Sequence, residues 1–462
     1  MAMGIRRTAP PAFWIDPQDL AKSPGHPFYK KLSQILDENG FDEFAEKLCS
    51  KFYKELGRPS LPPSVYFRLL LIGYFEGLDS ERGIAWRVAD SMSLREFLGL
   101  SLREPTPDHS TVSRNRRLLG LETHQELFTW VLQVLAKNSL LRGKTIGVDS
   151  TTLEANAAMR SIVRHVDGMA YSEFLEGLAK ASGIENPTRE EIARFDRKRE
   201  KKGSNEDWKN PHDPDAKITK MKDGRTHLAH KAEHAVDMET GAVVAVTLQP
   251  ANRGDRESLE KTLEEAADSL AAVIDDAEAA EKMSDELLRE LVADKGYHCN
   301  AVLEAQEKAG IRTYISEPKR GRRNWKGKEA AQQAVYANRR RIRGNRGKGL
   351  LRIRGEKVER SFAHNYETGA MRRTHLRGHE NILKRLLVHV AGSNLGLLMK
   401  TAFGVGTPRG LQGRRRRAAF FAFLGPLLLI YRVAKAILGA LAAARTIFAS
   451  RREVFAPAVK LG

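Results

Sequence analysis

The chain has 462 residues, 41% hydrophobic and 29% charged, an ordinary globular composition that excludes disorder along the whole length and leaves room for two or three domains. Its two cysteines, Cys49 and Cys299, exclude a disulfide framework and a cysteine-based zinc cluster, and fit a reducing cytosol. Lys and Arg number 77 against 58 Asp and Glu, for a formal net charge of +19; such an excess points to a polyanionic partner, nucleic acid first.

The first eleven residues hold no apolar core, so no signal peptide is expected there. From about 27 to 140 the pattern is helical. Phe28, Leu32, Ile35 and Leu36 form one stripe, and Pro62-Pro63 marks a helix start before Leu69, Leu70 and Ile72. Helices are predicted over 65–76, 80–89 and 93–98. Asp108 or Ser110 is placed to cap a following helix that carries Arg114, Arg116 and Arg117, a unit suited to docking on DNA.

At Lys144 the period changes. In KTIGVDSTTL, Ile146 and Val148 alternate with Gly147, Asp149 and Thr151, which predicts a strand. Residues 226–236 and 242–248 read as a strand pair around the turn at 237–241. Leu259, Leu263, Ala266, Leu270 and Val273 recur at helical spacing after Asp255, where Asp255 reads as the helix N-cap rather than as a site acid. A strand over 288–293 ends at Asp294, a helix follows over 302–309, and 312–315 is another strand. A helix spans 356–366. This order predicts an α/β mixed sheet flanked by helices, after an all-α N-terminal region.

Two polar stretches interrupt it. Residues 185–223 read as a long insertion loop. Residues 319–354 hold 14 Lys or Arg against the single acid Glu329, and include Trp325 and Tyr336. This suits a flexible segment that neutralises phosphates and stacks on bases, with Arg339, Arg340, Arg341, Arg343, Arg346, Lys348 and Arg352 as DNA contacts. The late apolar run 418–431, preceded by Arg414–Arg417, is shorter than a bilayer span and is broken by Gly425-Pro426; it reads as a packing element, and membrane contact is not expected. His227 lies on the opposite strand face from His230 and His234, a poor geometry for zinc; His230 and His234 read as polar residues near a sheet edge.

Three acids stand out by position: Asp149 on the first strand, Asp294 closing a buried strand, and Glu359 on the late helix. Convergent carboxylates repel unless divalent cations join them, and two such ions form a clamp for in-line phosphoryl transfer.

GVDSTTLEANA (147–157), VADKGYHC (292–299) and the stretch from Arg354 to Leu395 resemble the DDE transposases of bacterial insertion sequences, and residues 79–117 resemble that family's helical N-terminal region. The resemblance implies a ribonuclease-H-like catalytic domain with Asp149, Asp294 and Glu359 as catalytic, metal-binding acids, and Mg2+ (two ions, with Mn2+ as substitute) as cofactor. It also places the basic window in the insertion before the catalytic helix. The Glu-x-x-Phe pattern selects Glu359 over Glu356, one turn earlier. Relatives carry a Lys seven residues after the glutamate; here that residue is Tyr366, so the phosphate contact falls to Arg352, Arg360 or Arg372.

The domains read as 1–140 (DNA binding and dimerisation), 141–400 (catalytic) and 401–462 (a basic, then apolar tail). The expected function is a cytoplasmic transposase that binds terminal inverted repeats, cleaves the ends of double-stranded DNA and transfers strands, as a homodimer or larger assembly with no small-molecule cofactor. The alternative is a catalytically inactive DNA-binding protein derived from one.

Overall fold

The computed structural model describes residues 25–54, 60–101, 103–199, 203–221, 223–319, 321 and 323–412. The first eleven residues, the arginine run at 414–417 and the apolar run at 418–431 lie outside them. Residues to Gly406 form one compact unit and the rest a second, of which only a short helix near its start is described.

Seven helices open the chain: α1 (Pro27–Glu38), α2 (Phe41–Cys49), α3 (Pro63–Glu76), α4 (Glu81–Ala89), α5 (Met92–Phe97), α6 (His109–Leu118) and α7 (Leu121–Lys137). Pro63 starts α3, which is buried on nearly every side. Ser80 caps α4, and Asp108 caps α6 by accepting the Ser110 N–H at 2.8 Å. The buried Arg68 on α3 ties this bundle together, reaching Asp37 at 2.8 Å and Asp42 at 3.0 Å.

Strand β1 (Thr145–Glu154) comes next, followed by an excursion through β2 (Val163–Arg164), α8 (Tyr171–Ala181), α9 (Arg189–Lys198), β3 (Trp208–Lys209) and β4 (Lys217–Lys220). The sequence 185–223, expected to be a loop, thus carries structure of its own. A satellite core of Ile162, Trp208, Ala216 and Leu228 anchors it, and a capping box at Thr188 starts α9.

The remaining elements are β5 (Thr226–Asp237), β6 (Val243–Pro250), α10 (Asp255–Ile274), α11 (Ala277–Lys282), β7 (Glu290–Ala293), α12 (Asn300–Lys308), β8 (Arg312–Ile315), α13 (Glu329–Arg343), α14 (Asn345–Phe362), α15 (His379–Phe403) and, in the second unit, α16 (Arg409–Gln412). One mixed sheet runs β4-β5-β1-β7-β8, with β6 also paired to β5. Strands β1 and β5 are antiparallel, while β7 and β8 run parallel to β1. Helix α10 covers one face and α14 the other. This is the mixed sheet flanked by helices that the strand order predicts, in the ribonuclease-H-like arrangement that the resemblance implies.

From Glu329 on, the basic window is helical where a flexible segment was expected. Ala331, Ala334, Val335 and Asn338 bury one stripe of α13. The Asn338 side chain accepts the Ile315 N–H and donates to the Ile315 carbonyl, each at 2.9 Å, which caps the edge of β8. Gly344 separates α13 from α14, so the late helix starts at 345 rather than 356.

Helix α15 returns to the opening helices and packs on α3, α7 and β6. Asn394 clamps the Val243 backbone from both sides, and Lys384 donates to the Arg116 carbonyl. Among the described helices α15 alone is long and apolar enough to cross a bilayer, but 67% of its apolar stretch is buried in the protein.

Candidate active site

The β1–β7 ladder ends with Val148 beside Ala293. The next residues are Asp149, in the middle of β1, and Asp294, just past the end of β7, so the register sets these two residues side by side. Asp149 pairs across the other edge with His234 of β5, and both side chains face α14. Asp294 accepts the Gly296 N–H at 2.6 Å. Burial pushes the Asp149 carboxyl above its ordinary pKa, and the nearby Asp294 charge adds to this. The Ser150 N–H and the Arg354 guanidinium oppose the rise.

Helix α14 crosses above. A Cβ on Gly147 would lie 2.4 Å from Met238 Sδ and 2.9 Å from Val358 Cγ2, so the glycine lets the helix close on the strand. Arg354 reaches Asp149 at 2.8 Å, and Ser361 bonds His234 Nδ1 at 2.9 Å; residues 354, 358 and 361 therefore share the sheet-facing side. Glu359 follows Val358 by about 100° of helix. It therefore lies about 130° from the sheet-facing side, on the outward part of α14, and the structure does not gather its carboxylate with Asp149 and Asp294. Glu359 is exposed, and its side chain makes no hydrogen bond or ion pair among the described residues. Glu356 points further outward and pairs with Arg360.

Among the described residues no three His, Cys, Asp or Glu are gathered into a ready-made metal cage. The donor chemistry nonetheless fits a hard divalent ion: two carboxylates lie side by side, the Asp294 charge raises the cost of ionising Asp149, and a cation already answers Asp149. Arg354 supplies that charge here.

The arginines sort into two groups. Arg116 was expected on a DNA-facing surface, but it is buried, bound to Glu81 at 2.8 Å and to Ser113 and Asn381; an arginine enclosed this way has no fork left for phosphate. Arg339 holds Glu317 just past β8, Arg341 holds Glu307 on α12 and Arg346 holds Glu290 on β7, so the first two brace α13 against its neighbours and the third braces α14 against the sheet. Arg114, Arg117, Arg340, Arg343, Lys348 and Arg352 are exposed and make no ion pair among the described residues. Of the other candidates for the phosphate contact, Arg360 pairs with Glu356 and Arg372 with Glu367.

His230 and His234 do not lie near a sheet edge; both are fully buried on β5 between neighbouring strands. His230 binds the buried Asp213 at 3.0 Å. His234 meets the Tyr366 hydroxyl at 2.7 Å, and burial holds its pKa down to about 3.

Asp255 is not an N-cap, a role that falls to Gly254. Its carboxylate binds Lys231 at 2.7 Å and Ser150 at 2.9 Å. Next to it, the buried Glu233 receives the Tyr297 hydroxyl at 2.6 Å and the Ser258 hydroxyl at 2.9 Å. Burial raises the Glu233 pKa against these donors and Lys231. The available signal was a pair of charges, Lys231 and Glu233, inside a strand otherwise patterned for burial.

Residues 17–118 match a family described as a transposase domain (DUF772), and residues 205–395 match the transposase DDE domain family. None of the curated proteins compared matches the chain.

Proposed function

We propose, since this chain belongs to the insertion-sequence DDE transposases, a family that acts on DNA with divalent metal ions, that it binds the terminal inverted repeats of its element, cleaves the DNA ends and joins the 3′-hydroxyl to a target. The observation that carries this is the parallel register placing Asp149 beside Asp294 under the helix bearing Glu359. These three acids would hold two divalent ions, Mg2+ with Mn2+ as substitute, which supply activation of the attacking water or hydroxyl and stabilisation of the leaving oxygen.

The chain's own residues do the rest. The β1 backbone holds Asp149 and the turn after β7 holds Asp294, and the buried Asp149 carboxylate, answered here by Arg354, would be answered by a divalent cation instead. Arg354, once released, is a guanidinium at the site available to a phosphate oxygen. The exposed cations of α13 and α14 (Arg340, Arg343, Lys348, Arg352) and of α6 (Arg114, Arg117) hold the backbone without reading bases. Work on two element ends favours a homodimer or larger assembly on DNA. A protein acting by occupancy alone needs none of the three acids, and all are present.

The test is a supercoiled donor plasmid carrying the element ends. Asp149→Asn, Asp294→Asn and Glu359→Gln abolish strand cleavage and keep DNA binding, and Glu356→Gln retains activity. Full cutting by Asp149→Asn defeats the assignment. An inactive Glu356→Gln beside an active Glu359→Gln moves the third acid to Glu356.

A further inference from the structure

We infer that Asp255 is a positioning residue that sets the spacing of the Asp149 and Asp294 carboxylates, an inference that rests on the reading of those two acids given above. The backbone ladder between β1 and β7 stops at Val148–Ala293, one residue short of both aspartates. No main-chain bond therefore fixes the distance between them.

Asp255, at the start of α10, bridges that gap. Its Oδ1 accepts the hydroxyl of Ser150, the residue after Asp149, at 2.9 Å. Its Oδ2 faces Gly296, where a Cβ would lie 2.6 Å from that oxygen and 2.9 Å from Asp294 Oδ1. Gly296 is also the residue whose N–H holds Asp294. One carboxylate thus touches the chain next to each acid.

Asp255 is itself held. Lys231, 4% exposed, donates to Asp255 Oδ1, to Ser258 and to the Arg253 carbonyl. Ser258 and Tyr297 both donate to Glu233, and Tyr297 lies three residues past Asp294. The bonds form a continuous path from Ser150 on β1 to Tyr297 past β7, along the α10 face of the sheet. Networks of this kind orient metal-binding side chains, and their loss costs about 10–100-fold in metal affinity.

The test measures Mn2+ affinity of the full chain by titration calorimetry, together with plasmid cleavage, DNA affinity and thermal melting. Ser150→Ala and Asp255→Asn weaken Mn2+ binding tenfold or more and lower kcat, with DNA Kd unchanged within twofold. Thr262→Val, which cuts the network at its far end on Glu233, lowers the melting temperature and leaves Mn2+ affinity within twofold. If Asp255→Asn does not fold, Ser150→Ala decides. Wild-type Mn2+ affinity in Ser150→Ala, or equal weakening by Thr262→Val, overturns the inference. Wild-type protein that binds Mn2+ but never cuts DNA removes the proposed function and leaves the metal readout standing; wild-type protein that binds no Mn2+ removes both.

Discussion

Replacing Tyr366 by the lysine that relatives carry should unfold the protein rather than supply a phosphate contact. Tyr366 is fully buried, stacked on Phe362 and bonded to His234. Its surroundings offer a neutral imidazole and the like charge of Arg372, so an ammonium there has no anion to meet. A lysine buried in such a place loses about 3–5 pKa units, and keeping it neutral at pH 7 costs about 5 kcal/mol from its free value. The lost hydroxyl bond to His234 adds about 1–3 kcal/mol, which is all that Tyr366→Phe should cost. Together these approach the whole stability of an ordinary domain. The sign of the pH dependence follows: the lysine pKa is depressed in the fold, so the penalty is complete below that depressed value and is relieved as pH rises toward about 10.4. Urea denaturation followed by far-UV circular dichroism, at pH values from 6 to 10, reads both effects. A Tyr366→Lys protein within about 1 kcal/mol of wild type at pH 7, with no gain on raising the pH, refutes the reasoning.

Two further outcomes follow. His124 and His234 are held neutral by burial, with pKa values pushed down to about 4 and about 3; they take up protons on unfolding, so stability present above pH 6.5 falls by up to about 2.7 kcal/mol per pH unit from this pair as pH drops toward 4. Melting temperature against pH checks this, and a flat curve from pH 7 to 4 contradicts it. Removing the exposed charges Arg340, Arg343, Lys348 and Arg352 together should lower the salt dependence of DNA binding by up to about 3.6 in slope, without a shift in melting temperature, whereas Arg339→Ala or Arg341→Ala should destabilise by breaking the ion pairs to Glu317 or Glu307.

The strand order and the positions of Asp149 and Asp294 were legible because strand alternation and an acid at a strand end are local signals. The helices at 65–76, 80–89 and 93–98 were legible for the same reason, and the observed α3, α4 and α5 lie within a few residues of them. What was hidden depends on contacts far apart in the chain. The basic window looked flexible from its charge, yet Asn338 and the Arg–Glu pairs fold it into α13 and α14. Arg116 looked like surface from its neighbours, but Glu81 and Asn381 enclose it. Asp255 sits where a cap is usual; only its distance from Ser150, 105 residues earlier, gives it another role. Nothing in the composition shows that Arg354 answers Asp149.

Because α15, near the end of the described chain, packs on both α3 and α7, the opening helices complete their interior only when translation has passed residue 403. The opening helices are thus not a detachable head. A chain cut short before His379 loses the Asn394 clamp on Val243 and the Lys384 bond to Arg116 as well, so it should melt well below the full chain.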